Sequence, residues 1–348
     1  MSFYGKIGVR LLVLANFFLA FNFIYEGTMW SSDMERLAPY FKDFQHAIRT
    51  ADVLYLGDCS DQFFRPTDAT RKPLSRYLNE ALPNANVQAV SRDGFHAQAY
   101  RKLLDRWRPR DSTTVRTLIV TLNMRSLAPQ IRYHKNENTL QRNLKLVERH
   151  PPLFNRVEVG FKMYPYLEPH QMEAAKNAAW QQPYPATEFT NRELTSEHTP
   201  RTFLAERLAQ VASAHDSTMA EAYIKNYGFP LNLSDDAMLL AFDEIATHGA
   251  ELGVEVVFVL LPENLLEAQQ FGGPTLVEYM EWKRETLVQR YRSQGVFVVD
   301  AFDLLQPSDF VEELPNSHYT ANGRQRIASA IAVAIEALEA PQFPGLSQ

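Results

Sequence analysis

Residues 52–60 read Asp-Val-Leu-Tyr-Leu-Gly-Asp-Cys-Ser, and the rest of the chain is understood from them. Residues 52–56 form a short apolar run, and Gly57 ends it with the freedom to turn sharply and let backbone approach closely. Four later runs behave the same way, at 87–90, 118–122, 254–261 (VEVVFVLL) and 296–299 (VFVV). Helical apolar spacing falls between and after them, at 74–82, 97–107, 236–252, 276–292 and 324–338. Continuous apolar strands alternating with amphipathic helices predict a mostly parallel sheet covered on both faces. Right-handed crossovers then give a doubly wound α/β architecture.

Working outward, residues 7–25 read IGVRLLVLANFFLAFNFIY, interrupted only by Arg10, Asn16 and Asn22. As a helix this run spans roughly 28 Å at about 1.5 Å per residue, close to the hydrocarbon thickness of a bilayer. Lys6 and Arg10 lie on its amino side, whereas Glu26, Asp33 and Glu35 follow it. That charge bias places the remainder of the chain outside the cytoplasm. A cleaved signal peptide and a buried core helix are the rival readings, but the run is long for the former and shows no clear A-x-A cleavage pattern. We therefore expect a membrane anchor over 1–30 and an extracytoplasmic α/β domain over 31–348. Within it, residues 125–234 break the strand–helix rhythm. Pro151, Pro152, Pro165, Pro169, Pro183 and Pro185 interrupt that stretch, which is read as a helical and loop insertion.

Composition excludes several functions. The chain of 348 residues has 35 basic and 41 acidic residues, and no basic run interleaved with aromatics, so no nucleic-acid partner is expected. Its one cysteine, Cys59, has no partner for a disulfide or a redox exchange. It also cannot supply a zinc site that needs two or more thiolates. His134, His150, His170 and His198 lack metal-ligand spacing, so no metal is expected, and no P-loop or dinucleotide fingerprint implies a cofactor.

In an open parallel sheet, ligands sit beyond the carboxyl ends of the strands. Those ends carry Gly57-Asp58-Cys59-Ser60, then Ser91-Arg92-Asp93-Gly94, then Asn123-Met124-Arg125-Ser126, and finally Asn316-Ser317-His318-Tyr319-Thr320 before the last helix. In order and placement this set resembles the SGNH, or GDSL-type, hydrolase superfamily, over residues 50–127 and 250–338. The resemblance implies a flavodoxin-like three-layer sandwich. The anchor, Asn123–Pro129 and Leu261-Pro262-Glu263-Asn264 look most like the membrane-anchored DltD-like and AlgJ-like branch. That branch implies O-acylation of a cell-envelope polysaccharide, a bacterial inner-membrane location with the domain in the periplasm, and a membrane-bound O-acyltransferase as partner.

The resemblance assigns Cys59 as nucleophile in the place of the usual serine, and His318 as base. Gly94 and Asn123 become oxyanion donors and Asp58 a brace for the turn. Ser60 is the alternative nucleophile if the register slips by one. A thiol suits the first role, since its thiolate is the stronger nucleophile near neutral pH. The family's Asp three residues before the histidine is replaced by Pro315, and the nearest acids are Asp309, Glu312 and Glu313. Arg125 reads as a surface salt bridge or a contact for an anionic substrate. A non-catalytic scaffold with the same fold is the alternative to an acyltransferase or esterase.

Overall fold

The computed structural model describes residues 3–65, 68, 70–108, 113–185, 194–311 and 318–339. Three helices open the chain: α1 (Phe3–Thr28), α2 (Trp30–Leu37) and α3 (Pro39–Thr50). Then come β1 (Val53–Gly57), α4 (Cys59–Gln62), α5 (Leu74–Ala81), β2 (Val87–Ser91), α6 (Ala97–Leu104) and β3 (Thr117–Leu122). The insertion is helical, with α7 (Pro129–Arg132), α8 (Glu137–Leu146), α9 (Pro152–Gly160), α10 (Pro169–Trp180), α11 (Pro200–Leu208) and α12 (Ala214–Tyr227). The sheet then resumes through α13 (Ala237–Leu252), β4 (Glu255–Leu260), α14 (Leu265–Glu267), α15 (Pro274–Ser293), β5 (Phe297–Asp300) and α16 (Ala321–Glu339).

Among the described residues the sheet has the order β2-β1-β3-β4-β5, and every neighbouring pair is parallel. The doubly wound α/β expectation holds. Strand side chains alternate faces, so each apolar run feeds two cores at once. Leu54, Leu56, Leu118, Val120, Phe258 and Leu260 join the layer made by α3, α6, α13 and α15. Tyr55, Ile119, Val257, Val259 and Val299 join the opposite layer, where α5 and α16 supply Leu74, Leu78, Ile327 and Ile331. The order reverses at β1 and β3, which puts a crevice beyond the ends of these two strands.

Helix α1 is long and apolar enough to cross a membrane, with a mean hydropathy of 2.0 over its best window and none of that window buried. Its C-terminal end is tied to the domain by the carboxylate of Asp33, itself 6% exposed. That carboxylate accepts from Tyr25 Oη at 2.6 Å and pairs with Arg36 at 2.8 Å and Arg156 at 3.2 Å.

Candidate active site

Gly57 closes β1 in a place where a Cβ would lie 2.6 Å from the Tyr55 ring and 2.8 Å from Ser91 Oγ. The chain therefore turns at once into α4. Asp58 caps that helix, its Oδ1 accepting from Ser60 N at 2.8 Å. Its Oδ2 accepts from Asn123 Nδ2 at 2.8 Å, which links the end of β1 to the end of β3. Asn123 Oδ1 in turn accepts from Arg125 N at 3.0 Å. Beyond β2, Gly94 adopts φ +78°, a left-handed conformation that side chains disfavour.

These three strand ends meet at a cavity of about 500 Å³. Asp58, Cys59, Gly94, Asn123 and Arg125 line it, and α2 and α8 close its outer side with Arg36 and Glu137. His96, buried beneath it, holds Glu137 at 3.1 Å and so fixes α8 as a wall. Ser60 lies elsewhere. It is fully buried, its Oγ has no hydrogen-bond partner among the described residues, and it does not line the cavity.

His318 packs on Phe63, the residue that follows α4. Its ring stacks on Phe63 with centroids 3.8 Å apart and planes 2° from parallel. Phe63 is one helical turn from Cys59, its N–H donating to Cys59 O at 3.0 Å. A short antiparallel bridge between Phe310 and Tyr319, with Val311 N donating to His318 O at 3.0 Å, sets the backbone of that segment. His318 does not line the cavity itself. Cys59 and His318 nevertheless lie in the field of the same three charges, Arg125, Asp58 and Asp93.

That field and the burial set the resting protonation states. Burial, with the Asp58 charge, pushes the Cys59 thiol up to about 12, against the opposing pull of Arg125. Burial and Arg125 push the His318 imidazole down to about 4. Thiol and imidazole are both neutral between these limits. Alkylation by iodoacetamide should therefore be on the order of a thousand-fold slower at pH 7 than for an ordinary cysteine, and still rise about tenfold per pH unit near pH 10. A rate that levels off above about pH 9 would mean a thiol of ordinary acidity.

The expected surface position of Arg125 is corrected. It is half-buried in the cavity wall, where its charge bears on Cys59, His318 and Glu263. Glu263, which in the sequence carries only the likeness of residues 261–264, faces the charge of Arg125 although it does not line the cavity. It is 3% exposed, accepts from Tyr227 Oη at 2.5 Å, and is raised to about 7 chiefly by burial.

Pro315, Glu312 and Glu313 lie outside the described residues. Asp309 is buried and spent on structure, accepting from Gln306 N, Asn322 Nδ2 and Arg326. In the insertion, Glu148, His150 and Glu158 come close enough to share a cation. Lys102 and Lys145 already neutralise those carboxylates at 2.6–2.8 Å.

No model of a known protein family matches this chain, and no curated protein sequence does. Among solved structures it is similar to a variant of a Geobacillus acetyl-xylooligosaccharide esterase, at 9% identity and a TM-score of 0.39, over 82% of this chain and 94% of that one. A catalytic variant of an acetylxylan esterase from Geobacillus stearothermophilus gives 11% identity and a TM-score of 0.38 over the same shares. At such distances these likenesses carry nothing about the reaction, which rests on the residues above.

Proposed function

We propose that this protein is a membrane-anchored SGNH-type enzyme that moves or removes an ester-linked acyl group, acetyl in the first instance, on a cell-envelope polysaccharide. Helix α1 anchors it as a single span in the bacterial inner membrane with the domain in the periplasm, beside a membrane-bound O-acyltransferase. The observation that carries the reading is the convergence of Cys59, Gly94 and Asn123, from three separate strand ends, on one cavity, with the His318 ring stacked on Phe63, the residue one helical turn from Cys59.

The chemistry follows from the protonation states. Neutral His318 takes the thiol proton as the Cys59 sulfur attacks the ester carbonyl, forming a C–S bond. The carbonyl oxygen gains charge against the N–H groups of Cys59 and Gly94 and the amide of Asn123, with Arg125 nearby; one such donor is worth about 3–4 kcal/mol of barrier. The C–O bond to the leaving alcohol breaks, and His318 returns the proton to that oxygen. A polysaccharide hydroxyl or water then attacks the thioester, the C–S bond breaks, and the proton goes back to sulfur. Separating the proton from a thiol at about 12 onto an imidazole at about 4 is uphill on the order of 10 kcal/mol in the empty site. A turnover of about one per second tolerates a total barrier near 17 kcal/mol, so the route is open but demanding.

That same cost favours a second reading, a non-catalytic scaffold that docks on the acyltransferase or holds polysaccharide. Turnover of an activated acetyl ester by the full chain in detergent separates the two. The enzyme reading expects activity that Cys59→Ala and His318→Ala remove and Ser60→Ala retains in the folded fraction. Equal turnover by all four proteins would assign the background to water and leave the scaffold.

A further inference from the structure

Helix α9 is amphipathic in the wrong sense for a water-facing surface. Its inner side carries Asn155, Glu158 and Val159, all buried. The Asn155 amide donates to Glu148 O at 2.8 Å, and Glu158 pairs with Lys145 at 2.8 Å. Its outer side carries Phe154 and Val157, and Phe161 at its C-cap continues the stripe at i, i+3 and i+7, with exposures of 48, 38 and 76%. Met163, in the following turn, is 58% exposed. In water such a stripe gains nothing, and soluble surfaces rarely gather one.

Its position supplies the reason. Helix α9 packs on α1. The N–H of Leu153, which its own helix leaves unsatisfied, donates to Asn22 Oδ1 of α1 at 3.0 Å. Asn22 lies four residues before Glu26, the first charge after the apolar run, so α9 meets α1 about 6 Å short of that charge. That is the depth at which amphipathic helices rest between headgroups and acyl chains. The Asp33 carboxylate, joined to Tyr25, Arg36 and Arg156, locks α1, α2 and α9 into one unit.

We infer that α9 and the turn after it lie in the outer headgroup layer of the bilayer that α1 crosses, with Phe154, Val157, Phe161 and Met163 turned to lipid. The inference rests on the reading of α1 as a membrane span. It gives the domain two attachments to one lipid surface and hence a fixed orientation. Arg36 of α2, clamped to Asp33, also lines the cavity, so this orientation keeps the cavity near the membrane surface.

The test uses the full chain with Cys59→Ala, reconstituted in phosphatidylethanolamine–phosphatidylglycerol vesicles. Single cysteines replacing Ile24, Val157, Phe161 or Val333 are labelled with a polarity-sensitive fluorophore. All four positions are exposed, and Val333 on α16 is the water-facing control. Blue-shifted emission, quenched by nitroxide-bearing lipids, is expected at 24, 157 and 161 but not at 333. Quenching at 24 with water-like emission at 157 and 161 would overturn the interfacial helix and leave the anchor standing. Water-like emission at 24 would overturn the anchor and the inference with it.

Discussion

Replacing Arg324 by methionine is expected to lower the unfolding free energy by about 3–5 kcal/mol, read as a fall in the urea midpoint, and to destroy the candidate site in whatever folds. The guanidinium is fully buried. It donates to the carbonyls of Phe63 at 2.8 Å, Tyr319 at 2.6 Å, Lys72 at 3.0 Å and Thr70 at 3.4 Å, and pairs with Asp68 at 3.1 Å. Methionine fills similar volume but leaves a carboxylate and four carbonyls without this donor, and each buried orphan is costly. Phe63 is one member of the stacked pair and Tyr319 directly follows the other, His318, so Arg324 ties together the two segments that carry the pair. Lysine keeps the charge without the five-donor fork and should fall between the two. A loss below about 1 kcal/mol in the methionine variant would show that these bonds are exchanged for water at no cost.

The second large effect is on turnover. Cys59→Ala is expected to lower kcat/KM for an activated acetyl ester by about a thousand-fold or more, and His318→Ala by about 10²–10⁴-fold. The double variant should be no worse than Cys59→Ala alone, because residues acting in one step are not additive. Additive losses would mean that the two side chains serve separate functions, and the shared proton would have to be abandoned.

The strands were legible because a parallel strand buried on both sides is a continuous apolar run, and each of 87–90, 118–122 and 254–261 lies on an observed strand to within a residue or two. Helix α3 was not among the expected elements, although Tyr40, Phe41, Phe44, Ala47 and Ile48 recur at helical spacing and that face is buried. The strand-end motifs placed Cys59, Gly94 and Asn123 because backbone topology alone delivers those positions to one edge. Charged residues were harder. Charged contacts such as those of Arg324 and Glu263 leave no local trace, since one meets three carbonyls more than 250 positions away and the other a tyrosine 36 positions away. The hydrogen bond from Asn123 to Asp58 was equally hidden, since it joins residues 65 apart. Helix α9 is a different case. Its stripe of Phe154, Val157 and Phe161 is visible in sequence, but only the structure shows that it points outward.

Covalent trapping tests the central claim most directly. The full-length protein is mixed with an activated acetyl ester, quenched in acid and weighed intact, and the modified peptide is located by fragmentation. The account predicts one acetyl group on Cys59, formed faster as pH rises above neutral and absent from the Cys59→Ala protein. An acetyl group that never reaches Cys59 while ester is still consumed, or the same adduct mass in Cys59→Ala, would contradict it.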